Sequence, residues 1–111
     1  MKIVRIEPLV LNVSEKTNWF FLRVTADNGI SGLGEASLNG WEPAQIAYAE
    51  TLASQFLSAS PEDVAPQLRA YAHSPGGLIA SSIVSALEQA VTDLRARQAA
   101  APVQDRKSTR L

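Results

Sequence analysis

The chain has 111 residues, 46% of them hydrophobic, with ten basic and eleven acidic side chains, a formal net charge of −1 and no cysteine. That composition predicts one folded domain and argues against a disordered or fibrous chain, a disulfide framework and a thiolate metal site. With no basic block and no run near the roughly 20 apolar residues of a membrane span, nucleic acid and membranes are not expected partners, and a cytoplasmic setting is the default.

Lys2 to Val13 is expected to be a strand, with Val4 and Ile6 on one phase and Leu9, Leu11 and Val13 on the other. Arg5 and Glu7 break the apolar stretch and no small-residue cleavage site follows, so a strand is favoured over a signal peptide. The phase changes at Glu7-Pro8, where a residue without an N–H implies a bulge or an edge position. Asn12 to Asn18 is polar and is expected to connect the first two strands.

Trp19 to Ala26 is the second expected strand, with Phe20, Leu22, Val24 and Ala26 as its core face. Its other face carries Trp19 and Phe21 near the connection and Arg23 and Thr25 farther along, which suggests burial at the apolar end only. Asp27-Asn28-Gly29 supplies turn chemistry, because Asn and Gly tolerate positive φ. Ile30 to Ala36 returns as the third strand. Its Gly32 and Gly34 recur at a spacing of two, leaving one face bare for a close neighbour. A three-residue turn would set Gly34 opposite Leu22 and Gly32 opposite Val24; a two-residue turn would shift this by one.

Ser37 to Glu42 is a loop carrying Trp41, and Pro43 suits the start of a helix to Leu57 with Ile46, Ala49, Ala53, Phe56 and Leu57 on its apolar stripe. Ser60 to Asp63 resembles a helix start, but Pro66 predicts an interruption: a turn to Val64, then a helix from Pro66 to Ala72. Ser74 to Gly77 leads into the longest periodic segment, Leu78 to about Ala99, with Ile79, Ile83, Ala86, Leu87, Ala90, Val91 and Leu94 on one stripe. At a rise of about 1.5 Å per residue it spans roughly 33 Å, enough to organise a small domain. The predicted class is α+β: a three-stranded antiparallel meander followed by a helical layer.

No phosphate loop, paired-histidine metal motif or nucleophile elbow is present. His73 is read as a solvated residue near a helix end, not a base. Glu35, between Gly34 and Ala36, is expected to be semi-buried, in a structural hydrogen bond or a charge pair with Arg23. For Trp19 and Trp41 two readings stand open: capping a pocket, or packing against a neighbour.

Gly32 to Ala36, GLGEA, and the run SALEQAVTDLRARQAAAPV resemble the N-terminal capping domain of the enolase superfamily, in its mandelate racemase and muconate lactonizing branch. Ser85, Ala86, Leu87, Glu88, Ala90, Asp93 and Leu94 match the characteristic helix run; Val91 stands in place of Leu and Thr92 in place of Trp. The resemblance covers residues 1–104. It implies a substrate-specificity lid for a magnesium-dependent lyase or isomerase that abstracts a proton α to a carboxylate, such as a sugar-acid dehydratase or a racemase or cycloisomerase. Base and metal ligands would lie in a C-terminal β/α barrel of some 200 residues or more, so no catalytic residue and no metal ligand is expected here, and the 111-residue chain is expected to be inactive. The implied partners are that barrel and a small carboxylate, with the intact enzyme a homo-oligomer. The substrate-contacting loop candidates are Lys16, Thr17, Asn18, Trp19, Asn39 and Trp41. The rival reading is a stand-alone, non-enzymatic α+β interaction domain.

Beyond Gln104 the text changes. Residues 1–104 hold seven basic and ten acidic side chains, a net −3, so Asp105 to Leu111 contributes +2. One codon choice for these residues, GAT CGG AAG AGC ACA CGT CTG, coincides with the start of a common short-read library adapter. Residues 105–111 are therefore expected to be a non-native tail, and residues 1–104 the domain.

Overall fold

A computed structural model describes residues 1–38, 40–71 and 77–100. The expected meander is there: β1 (Ile3–Ser14), β2 (Thr17–Ala26) and β3 (Ser31–Glu35) form an antiparallel sheet in the order β1-β2-β3. It is followed by helices α1 (Glu42–Phe56) and α2 (Pro61–Leu68), a 3₁₀ turn at Arg69–Tyr71, and α3 (Gly77–Ala100).

Alternation in β2 decides which face is covered. Phe20, Leu22, Val24 and Ala26 are buried against the helical layer, where they meet Leu52 and Phe56 of α1, Val64 and Leu68 of α2, and Ile83, Leu87, Val91 and Leu94 of α3. Each large apolar side chain so buried contributes about 1.5–3 kcal/mol relative to exposure. The β2–β3 turn uses three residues: Ala26 N–H donates to Ile30 C=O (2.9 Å), and Gly29 sits at φ 88°. Leu22 therefore pairs with Gly34 and Val24 with Gly32. The bare face these glycines leave is occupied by α3 itself. A Cβ on Gly34 would run into the Ala86 carbonyl, and one on Gly32 into the backbone of Ala90 and Leu94. Helix and strand thus pack backbone to backbone.

Two expectations are corrected, and two left open between alternatives are decided. Glu7-Pro8 carries no bulge; the irregularities fall between Ile3 and Arg5 and between Asn12 and Ser14. Pro8 pairs with Leu22 on an edge strand, where a missing N–H costs no ladder bond. The polar connection after β1 is only Glu15-Lys16, because pairing continues through Asn12–Asn18 and Ser14–Thr17. Pro66 does not interrupt α2; Pro61, Val64 and Leu68 form one buried face, and this burial outweighs the single intrahelical bond that Pro66 forfeits. Finally, Arg23 pairs with Glu7, its cross-strand neighbour (3.2 Å), and not with Glu35, which is exposed and accepts from Ser37 Oγ (2.8 Å).

The outer face of the sheet is uncovered at the hairpin end, the reverse of the expected pattern. Thr25 is buried, Phe21 half-buried, and Trp19, Leu11 and Leu33 are exposed. Among the described residues the apolar end of this face is left exposed, while Arg23 and Glu7, paired across the strands, are half-buried. His73 and the segment leading to Gly77 lie outside the described residues, as does the expected tail at 105–111.

Candidate functional site

Two connections emerge at one end of the sheet: the β1–β2 turn at Glu15-Lys16, and the segment from Ala36 to Trp41 that joins β3 to α1. Since Phe21 pairs with Glu35, the last residue of β3, and Phe20 is bonded to Ala36, the strand residues Thr17 to Trp19 project beyond β3. At about 3.4 Å per residue, that is an overhang of roughly 10 Å. It is stiff for a protruding hairpin. Asn12 Nδ2 donates to Asn18 Oδ1 and to Ser14 C=O, both at 2.8 Å, and Lys16 N–H donates to Ser14 Oγ (3.3 Å).

Lys16 is exposed in the turn. Thr17, Asn18 and Trp19 are strand residues, not loop residues, with Thr17 and Asn18 half-buried. Trp19 is 46% exposed and meets Phe21 edge-on, ring centroids 6.5 Å apart and planes at 89°. Trp41 is 55% exposed and precedes the first residue of α1. Asn39 lies outside the described residues. Sequence reasoning thus selected residues on both connections, each with an exposed tryptophan.

The second connection is anchored by residues it did not select. Ala36 N–H donates to Phe20 C=O (2.8 Å), and Phe20 N–H donates to Ser37 Oγ (3.0 Å). Gln45, fully buried, donates from Nε2 to Ala36 C=O and to Ser82 Oγ (3.1 Å). The signal for Gln45 was its spacing: it stands four residues before Ala49 and in phase with Leu52 and Phe56, on the buried stripe of α1. Asp93 and Gln89 of α3 hold the free edge of β3. The Leu33 N–H donates to Asp93 Oδ2 (3.0 Å) and the Glu35 N–H to Gln89 Oε1 (3.2 Å). The Leu33 N–H, and then Arg97 at 3.1 Å, hold the Asp93 carboxyl below its ordinary value.

Among the described residues, no three His, Cys, Asp or Glu side chains come together as a metal site would require. The arrangement offers contact surface and hydrogen-bonding groups at one rim. No helix among the described residues is long and apolar enough to cross a membrane.

Residues 2–106 match the family model of the mandelate racemase / muconate lactonizing enzyme N-terminal domain. The chain belongs to this family. A D-galactonate dehydratase family member of Pseudarthrobacter chlorophenolicus is 30% identical over 107 residues, covering 93% of this chain and 26% of the relative. A D-mannonate dehydratase of Novosphingobium aromaticivorans is 29% identical over 90 residues, 78% of this chain and 22% of the relative. The fold is shared with a Burkholderia xenovorans protein assigned as an L-alanine-DL-glutamate epimerase, solved with magnesium and fumarate. There the TM-score is 0.73 at 24% identity, over 88% of this chain and 25% of that one. The chain thus spans about a quarter of the length of the curated relatives it matches.

Proposed function

We propose that this chain is the capping domain of an enzyme acting on a small carboxylate, with sugar-acid dehydration as the first choice of reaction and racemisation or cycloisomerisation as the alternatives. The dehydratase names of its relatives favour the first. The magnesium and fumarate in the Burkholderia xenovorans structure support a metal-assisted reaction on a carboxylate in the intact protein. No three metal-ligating side chains come together among the described residues, and we place metal and base in the barrel that the family's enzymes carry.

The observation that carries the reading is the pair of connections at one end of the sheet, presenting Lys16, Trp19 and Trp41 from a braced hairpin and a braced loop. Such a rim acts as a lid. It contacts the part of the substrate remote from the reacting carbon, excludes water and leaves the chemistry to groups below.

The test is a chimera in which residues 1–104 replace the N-terminal domain of a D-mannonate dehydratase. A functional lid yields a soluble enzyme that dehydrates sugar acids with an altered ranking among them. Turnover by the 111-residue chain alone, following it through purification and lost in Glu35→Gln, would refute the proposal.

A further inference from the structure

Gln45 makes contacts that a stabilising core residue would not need. Its backbone N–H donates to Trp41 C=O (2.9 Å), while its side-chain Nε2 donates to Ala36 C=O and to Ser82 Oγ. The backbone bond is the ordinary first turn of α1; the side chain is what ties the Ala36 end of the connection to α1 and α3. Ser82 Oγ donates in turn to Ile79 C=O (2.7 Å), which ties the same point to the first turns of α3. Nothing else among the described contacts joins Ala36 to α1 in this way.

This arrangement has a cost that identifies its purpose. Among the described residues, Gln45 Oε1 is buried and has no hydrogen-bond partner. A buried acceptor left unmatched keeps its desolvation penalty, and an apolar side chain of the same length would avoid it. Such a residue would, however, leave the carbonyl of buried Ala36 unpaired, at a cost of the same kind. What it would not supply is the donor that fixes the Ala36 carbonyl.

We propose that Gln45 is a positioning residue that sets the path of Ala36 to Leu38 and of Gly40 and Trp41, and so the presentation of Trp41 at the rim. The positioning is a property of this chain; its consequence for substrate preference rests on the lid reading above.

The experiment is amide hydrogen exchange on the 111-residue chain carrying Gln45→Met, which matches glutamine in length and lacks the donor. The Gly40 and Trp41 amides report on the connection, being bonded to the Glu42 carboxylate and to Leu38 C=O. They are expected to exchange at least tenfold faster, while Leu22 and Val24 in β2 accelerate by a much smaller factor, set by any modest fall in the urea midpoint. Ser82→Ala, which removes one of the two side-chain partners at a half-buried site, is expected to give a smaller acceleration of the same two amides. Unchanged rates at Gly40 and Trp41 in both variants would overturn the proposal. So would an equal acceleration in β2 with a lower urea midpoint, which is the signature of a purely structural role. Exchange does not depend on turnover, so an inactive chimera would count against the lid reading and leave this result intact.

Discussion

Gly34→Ala is the sharpest test of how sheet and helix are joined. A Cβ at this position would lie 2.8 Å from the Ala86 carbonyl carbon and 3.0 Å from the Ala90 nitrogen, and closer still to the Ala86 oxygen. All three are backbone atoms, so no rotamer change relieves the overlap; α3 must lift from β3 by on the order of 1 Å. A gap of that size forfeits a quarter to a half of the dispersion energy of the contacts it opens, and Ile83, Leu87, Ala90 and Leu94 all lie along the seam. Overpacking of this kind costs about 1–3 kcal/mol when side chains can adjust, and the rigid obstacle puts this case at about 3 kcal/mol or more. Against the 5–15 kcal/mol typical of a domain, that is a large share. With about 4 °C per kcal/mol for a chain of this size, the melting temperature followed by circular dichroism is expected to drop by about 12 °C. Gly29→Ala is the control: its φ of 88° is strained for alanine, but nothing lies within 4 Å, so the expected cost is about 1–2 kcal/mol. A Gly34→Ala protein that melts no lower than Gly29→Ala would show that α3 does not rest on the β3 backbone.

Asp93→Asn tests the edge contact. Because the folded carboxyl sits below its ordinary value, its contribution is present above about pH 4 and is lost as pH falls through the folded value. The variant is expected to be less stable than the parent by about 1 kcal/mol at pH 7, a figure reduced for the partial exposure of the site, and equal to it near pH 2. Urea titrations at the two pH values check this, and a constant difference would refute the assignment. In a chimera with a relative's barrel, Lys16→Ala and Trp41→Ala are expected to change the ratio of kcat/KM between two sugar acids while moving stability by about 0.5 kcal/mol or less. Uniform loss on every acid together with a large fall in melting temperature would point to a structural role. Finally, exposed Trp19, Leu11 and Leu33 on the open sheet face are expected to make the isolated chain bind a hydrophobic dye and self-associate in sedimentation; a monodisperse, dye-silent monomer favours the stand-alone domain.

The strands were legible because their signals were local. Phe20, Leu22, Val24 and Ala26 alternate without exception, and Asp27-Asn28-Gly29 marks the turn, although its residues left a two- or three-residue register open and the Ala26–Ile30 pairing decides for three. α3 was legible from its period. α2 was not, because a proline in a short helix is decided by what Pro61, Val64 and Leu68 bury, and burial is not written in the segment itself. At the rim, the family resemblance pointed to Lys16, Trp19 and Trp41. It could not show that Thr17 to Trp19 continue a strand, since that follows from cross-strand pairing with Asn12 and Leu11. The partners of Glu35, Gln45 and Asp93 were equally out of reach: each bonds a group far away in sequence, Leu33 with Asp93 across sixty positions.

The contact of Asp93 and Gln89 with β3 also governs how this protein can aggregate. An edge strand with free N–H groups is a template onto which another chain can add, and growth by that route is fibrillar. Here the outward N–H groups of Leu33 and Glu35 are already taken by side chains of α3. On the opposite edge, the Ile3 N–H is taken by Ala59, and Pro8 has none to give. The β3 edge is thus closed to a further strand. Copies that meet through Trp19, Leu11 and Leu33 bury side chains without extending a ladder from that edge.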